Sequence, residues 1–316
     1  MHKRLSPLLL ALLMLAKPVS AKTPHVVTDI APVHSLVALV MQGVDQPKLL
    51  VTPGVSPHGY ALRPSQSQDL QQADIVFWIG TGLTPWLQKP LDNLAQDAVK
   101  IQLQESEQAI HLQYRETGHD HGDEHEDEHE DEHEDEHGDE HGDEHEMLDP
   151  HMWLDPENAI IWIDLIAKEL ARIDPENATR YQENAAIGKT ELIALKAEIQ
   201  SKLAPLHTAG FLVFHDSYQY FEARFGLTSS GTISLGDGRA PSAARIAKAR
   251  EIVTKKGVVC VFSEPQFNAG VVNTVIEGAQ VKTGVLDPLG VDLAIGAKLY
   301  PQLLRKLSAE FINCLS

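Results

Sequence analysis

The chain has 316 residues, a formal net charge of −19, 43% hydrophobic residues and two cysteines. So acidic a balance excludes a partner gripped by phosphate neutralisation, hence no nucleic acid is expected. After the first residues no stretch of about 18 apolar residues occurs, so the mature chain is not expected to span a membrane.

The first 21 residues read as a secretory signal. His2, Lys3 and Arg4 give a positive start, Leu8 to Ala16 an apolar run too short to span a bilayer, and Val19-Ser20-Ala21 a small-residue cleavage site. The mature protein is expected to begin near Lys22 in an exported compartment. Nearly 300 remaining residues exceed one typical domain, so two are expected.

From there short apolar runs alternate with helical patterns. Val26–Ile30, Lys48–Val51, Ile75–Ile79 and Val99–Leu103 read as strands, with helices over Ser35–Met41 and Ser65–Gln72. Strand–helix alternation predicts a mainly parallel α/β sheet. Gly80-Thr81-Gly82 follows a strand, but Pro85 stands where a dinucleotide loop needs its third glycine, so it reads as a turn.

Residues 116–146 interrupt this pattern. They hold 18 Asp and Glu, no Lys or Arg, and eight histidines: His119, His121, His125, His129, His133, His137, His141 and His145. A segment of charge −18 cannot bury apolar surface and repels itself, which predicts a solvated, disordered loop. Its interleaved imidazoles and carboxylates offer weak sites to a divalent cation, the alternative being a solubilising acidic run.

Asp174 and Pro175 mark a helix start, and apolar periodicity runs through Tyr181, Ile187, Leu192, Leu195 and Ile199 until Pro205. A connecting helix over 174–204 is predicted, long enough to traverse two lobes. Alternation then resumes, with strands at Phe211–Phe214, Thr232–Ser234, Val258–Phe262 and Val281–Leu286 and helices over Ala240–Lys255 and Gly270–Ala279. The predicted architecture is α/β, two lobes each with a mainly parallel sheet flanked by helices, joined by one long helix. Its parts are 1–21, 22–173, 174–204 and 205–316. Cys260 and Cys314 are expected to form a disulfide in an oxidising compartment, worth roughly 4 kcal/mol at most by loop closure, the alternative being two buried thiols.

Four candidate ligands lie in loops. His58 follows the second strand; His151 follows the acidic insert; His215 ends Phe211–Phe214; Asp287 follows Val281–Leu286. In open α/β sheets ligands bind beyond the carboxyl ends of strands. Three neutral imidazoles and a carboxylate suit four-coordinate Zn²⁺, whereas Mn²⁺ calls for more oxygen. With four protein ligands no position is left for a reacting water, which favours binding over catalysis. His25, His34, His111 and His207 have ordinary loop or helix explanations, and Tyr60 and Trp153 read as packing beside the cleft.

The segments Pro57-His58-Gly59-Tyr60, Asp149-Pro150-His151-Met152-Trp153-Leu154-Asp155, Phe214-His215-Asp216-Ser217-Tyr218 and Leu286-Asp287-Pro288-Leu289 resemble the motifs of metal-binding proteins of ABC transporters. The chain resembles most closely the zinc branch of ZnuA type, over essentially the whole mature length. That resemblance implies a periplasmic, non-enzymatic protein, expected as a monomer, that carries Zn²⁺ to a membrane permease. It implies His58, His151 and His215 as ligands, with Asp287 a fourth or nearby carboxylate. Manganese-binding relatives have Glu where His215 stands, while the acidic insert and the cysteine pair resemble the zinc branch. Some zinc-branch members carry Glu immediately before the first histidine; Pro57 stands here, so Asp287 or a water is expected to complete the sphere. Rival readings are a manganese-binding homologue, a soluble zinc buffer and a zinc hydrolase, the last lacking His-Glu-x-x-His and Gly-x-Ser-x-Gly.

Overall fold

The computed structural model describes residues 23–115, 148–234 and 241–316. The expected signal segment and the histidine-rich segment therefore lie outside the described residues. Two parallel sheets organise the rest.

The first sheet contains β1 (Val26–Thr28), β2 (Lys48–Leu49), β3 (Ile75–Trp78) and β4 (Val99–Gln102) in the order β2-β1-β3-β4, all parallel. Helices α1 (Ala31–Val40), α2 (Pro64–Gln71) and α3 (Gln88–Leu94) alternate with these strands. All four residues of β3 are buried because both faces of a parallel sheet are covered. Ile75 and Phe77 face the main core, whereas Val76 and Trp78 face a second cluster with Leu70, Leu87 and Leu91.

Next come α4 (Pro156–Ile173) and α5 (Ala178–Leu203), joined by a short turn. The 26-residue α5 spans about 39 Å. It buries Tyr181, Ala185, Leu192, Leu195, Ile199 and Leu203, the three-and-four spacing of one helix face. Gly188 lies on that face where α1 crosses; a Cβ there would come within 2.4 Å of Leu39 Cδ2. A 3₁₀ turn, Pro175–Asn177, precedes α5. The Asp174 carboxylate accepts from Asn177 Nδ2 and Tyr181 Oη, not from a helix N–H as a side-chain cap would.

The second sheet has β5 (Gly210–Leu212), β6 (Val258–Ser263) and β7 (Lys282–Val285) in that order, again parallel. Around it lie α6 (Gln219–Phe225), α7 (Ala243–Lys255), α8 (Gly270–Ile276) and α9 (Leu299–Leu315). The expected strand at Thr232–Ser234 reduces to one bridge, Val213 to Thr232, beside the chain leaving β5. The Cys260–Cys314 disulfide forms, with Cα atoms 5.8 Å apart, and ties the end of α9 to β6.

One continuous core runs from the inner face of the first sheet through α1, α4, α5 and α9 to Phe211 and Phe262 of the second. Tyr300 of α9 extends that union, its Oη donating to Trp153 O and its N–H to Ser35 Oγ. The lobes are thus fused along their inner faces and meet at the strand carboxyl ends, where the loops converge.

Candidate metal centre

His58 lies in the loop between β2 and α2, and that loop is held from both sides. Trp86 Nε1 donates to Pro57 O at 2.6 Å, and Tyr60 Oη lies 2.8 Å from both Thr52 Oγ1 and Gln66 Nε2. Tyr60 packs on Trp86, with ring centroids 5.5 Å apart, as expected of a residue beside the cleft.

His151 ends the segment that returns from the acidic insert, just before a 3₁₀ turn, Met152–Leu154, and α4. Asp155 caps α4 through Glu157 N–H, with Pro156 at the first helical position, which fixes where the turn ends. Asp149 Oδ1 accepts both the His151 N–H, at 3.0 Å, and Nδ1, at 2.7 Å. A carboxylate oxygen only accepts, so Nδ1 carries the proton and the Nε2 lone pair is left for another partner. That Nε2 is buried and has no hydrogen-bond partner.

His215 follows β5 by three residues, and Glu264 is the first residue beyond β6. Glu264 Oε1 accepts His215 Nδ1 at 2.7 Å. The arrangement repeats that at His151 from a different part of the chain. Carboxylates behind imidazoles in this way fix the tautomer and raise the basicity of the outward nitrogen, the usual support for a metal-ligating histidine.

His58, His151 and His215 each offer a nitrogen within 4.8 Å of the others. The ring centroids of His151 lie 5.4 Å from His58 and 5.3 Å from His215. Pro57, Trp153, Phe267, Pro288 and Leu289 wall the space beside them, a cavity of about 10 Å³. That is room for about one water-sized body between the rings.

Asp287, the expected fourth ligand, is not in this cluster among the described residues. It follows β7 as expected, but its Oδ1 accepts from Leu289 N, Gly290 N and Gln266 Nε2, each at 3.0 Å, and Oδ2 from Val291 N at 2.6 Å. The carboxylate is turned into its own loop. Through Trp153 Nε1, which donates to Pro288 O at 2.8 Å, that loop is fastened to the turn after His151.

The remaining histidines stay with their ordinary explanations. His34 lies in the first turn of α1 with Nε2 on Pro47 O, and His111 Nε2 lies 2.8 Å from Gln104 O. His119, His121, His125, His129, His133, His137, His141 and His145 lie outside the described residues. Asp149 and Glu264 are the residues to which sequence reasoning gives no role. Glu264 has a signal after all, since it stands two residues beyond the predicted strand Val258–Phe262, where the strand-end rule applies.

Known proteins show what the chain as a whole is similar to. The family described as "Zinc-uptake complex component A periplasmic" matches residues 26–314. The high-affinity zinc uptake system protein ZnuA of Brucella suis is 46% identical over 305 residues, covering 92% of this chain and 91% of its own. That of Paracoccus denitrificans is 44% identical, covering 95% and 94%. A crystal structure of a ZnuA superposes with a TM-score of 0.74 at 24% identity, over 93% of this chain and all of the other. A solute-binding protein of Pseudomonas aeruginosa, FpvC, solved with Mn²⁺, shares the fold at a TM-score of 0.76 and 20% identity, over 93% and 99%.

Proposed function

The chain belongs to the ZnuA family of periplasmic zinc-uptake components, and from that premise we propose that it captures Zn²⁺ with His58, His151 and His215 and passes the ion to the membrane permease of a zinc ABC transporter. It is a transport component, not an enzyme. No helix among the described residues is long and apolar enough to cross a membrane, so the permease is a separate chain in this reading.

The observation that carries the site assignment is the mutual approach of three imidazole nitrogens to within 4.8 Å. The donor set favours zinc over manganese, because nitrogen supplies every close ligand and the carboxylates stand behind the rings. Asp287 is read as the brace of its loop, which leaves the fourth position to solvent. The eight histidines of 116–146 form a second, weaker reservoir. The signal is removed near Ala21, and the mature chain acts as a monomer with lobes 22–173 and 205–316 on either side of the connector 174–204.

Zinc titration by competition with a chromophoric chelator tests the site. His58→Ala, His151→Ala and His215→Ala should each weaken the tight site by orders of magnitude. Wild-type affinity in both His58→Ala and His215→Ala would overturn the assignment.

A further inference from the structure

Two arginines tie the chain around His151 to the chain around His215, each from the opposite side. Arg224 of α6 grips Asp155, four residues beyond His151, with Nε and Nη2 each 2.7 Å from a separate carboxylate oxygen. Arg115, two residues past Gln113, which forms an isolated bridge with Leu148 just ahead of His151, reaches the other way. Its Nε and Nη2 contact Asp216, the residue after His215, and its Nη1 donates to Glu222 of α6 at 2.7 Å.

Neutral contacts run between them. Leu112 N–H donates to Tyr220 Oη at 2.8 Å, and Gln219 Nε2 donates to Gln113 O at 3.0 Å. Leu112 O in turn accepts the N–H of Asp149, whose carboxylate holds the His151 ring. A hydrogen-bonded path therefore leads from α6, directly after His215, to the imidazole of His151. The His58 loop is braced differently, through Trp86 and Tyr60 within the first lobe.

We propose that Arg115 and Arg224 are positioning residues for the metal, a reciprocal pair of clamps that sets the His151–His215 spacing before the ion arrives. The proposal rests on the three-histidine zinc reading. A planar guanidinium in a two-point grip fixes direction as well as distance, which an ammonium does not. The grips are partly shielded: the carboxylates of Asp155 and Glu222 are 4% and 3% exposed. With the pair held, zinc binding need not order two separate loops, and that ordering would otherwise be subtracted from affinity.

The test uses the full mature chain, with zinc Kd from chelator competition and Tm with and without zinc. Arg224→Met leaves an orphaned buried carboxylate, so the decisive variant is Arg224→Met with Asp155→Asn, which is charge-neutral and keeps a helix cap. We expect Kd to rise about tenfold or more, the usual scale for support behind a metal ligand, and the zinc-induced rise in Tm to shrink. Arg224→Lys should fall between. Arg115→Met with Asp216→Asn and Glu222→Gln should behave like the first combination. Unchanged Kd in both combined variants, with Tm lowered equally in the free and zinc-bound forms, would overturn the proposal and leave the contacts merely structural. His58→Ala, run alongside, reports on the three-histidine site itself, so failure of the site is told apart from failure of the clamps.

Discussion

Glu264 Oε1 lies 2.7 Å from Nδ1 of His215, although 49 residues separate them in the chain. The contact joins the ends of two neighbouring parallel strands, β5 and β6, so the fold itself brings the proposed ligand and its support together. Glu264→Gln keeps an acceptor for Nδ1 but removes the charge. It should weaken zinc about 10–100-fold. The Tm of the metal-free protein should hold or rise, because a buried carboxylate is removed. Chelator competition and thermal melts check both, and wild-type zinc affinity in Glu264→Gln would remove the supporting role.

Asp287 should behave oppositely. Its carboxylate accepts three backbone N–H groups and the Gln266 amide. Asp287→Ala strands those donors in a buried turn, costing on the order of 1–3 kcal/mol. Tm should drop while zinc Kd changes far less than in His58→Ala. A Kd loss equal to that of the histidine variants would restore Asp287 as a ligand.

What the sequence makes legible follows from this contrast. His58, His151 and His215 stand out because each breaks an apolar or turn-forming run at the position where a loop leaves an element, and the fold then has little freedom in where it sends them. Asp287 stands at the same kind of position, but its direction depends on the turn through Gly290, at φ 74°, whose N–H groups claim the carboxylate. Spacing does not encode that. Glu264 and Asp149 act on rings, not on an ion, so only the three-dimensional pairing reveals them. Among the helices, α4 starts with Asp155 and Pro156, a signal hidden inside the ligand motif. In α9 the third residue is Pro301, which reads as a break although a first-turn proline is tolerated. The shared core of the two lobes is invisible to periodicity, which tells that a face is buried but not against what.

Asp29 links stability to pH. Its carboxylate accepts Ile30 N at 2.7 Å and Ile79 N at 2.8 Å, and its carbonyl accepts Val51 N, which starts the loop toward His58. Burial pushes its pKa up from 3.8 to about 7, with the two N–H bonds opposing. The folded state therefore holds a proton that the unfolded state has lost between about pH 4 and pH 7. Stability from this group is fully present below the lower value and is lost as pH rises through the upper one. Asp29→Asn cannot titrate, so its stability relative to wild type should improve from about pH 4 to about pH 7 and level off above that, whatever the constant offset from the altered hydrogen bonding. Urea melts at a series of pH values measure this; a difference that stays flat with pH would refute the assignment.

Deletion of residues 119–145 separates the two kinds of zinc site. Eight imidazoles and many carboxylates, at two to four ligands per ion, provide for about two to four extra equivalents. The segment leaves after Arg115 and returns at Leu148, and the bridge between Gln113 and Leu148 brings its two ends side by side. A short linker can therefore close the gap without pulling on Asp149 or His151. Metal analysis after equilibration at saturating zinc should show the extra equivalents gone, while competition still finds one tight ion at wild-type Kd. Loss of that ion as well would mean that the segment contributes to the centre itself, and three histidines alone would no longer account for the affinity.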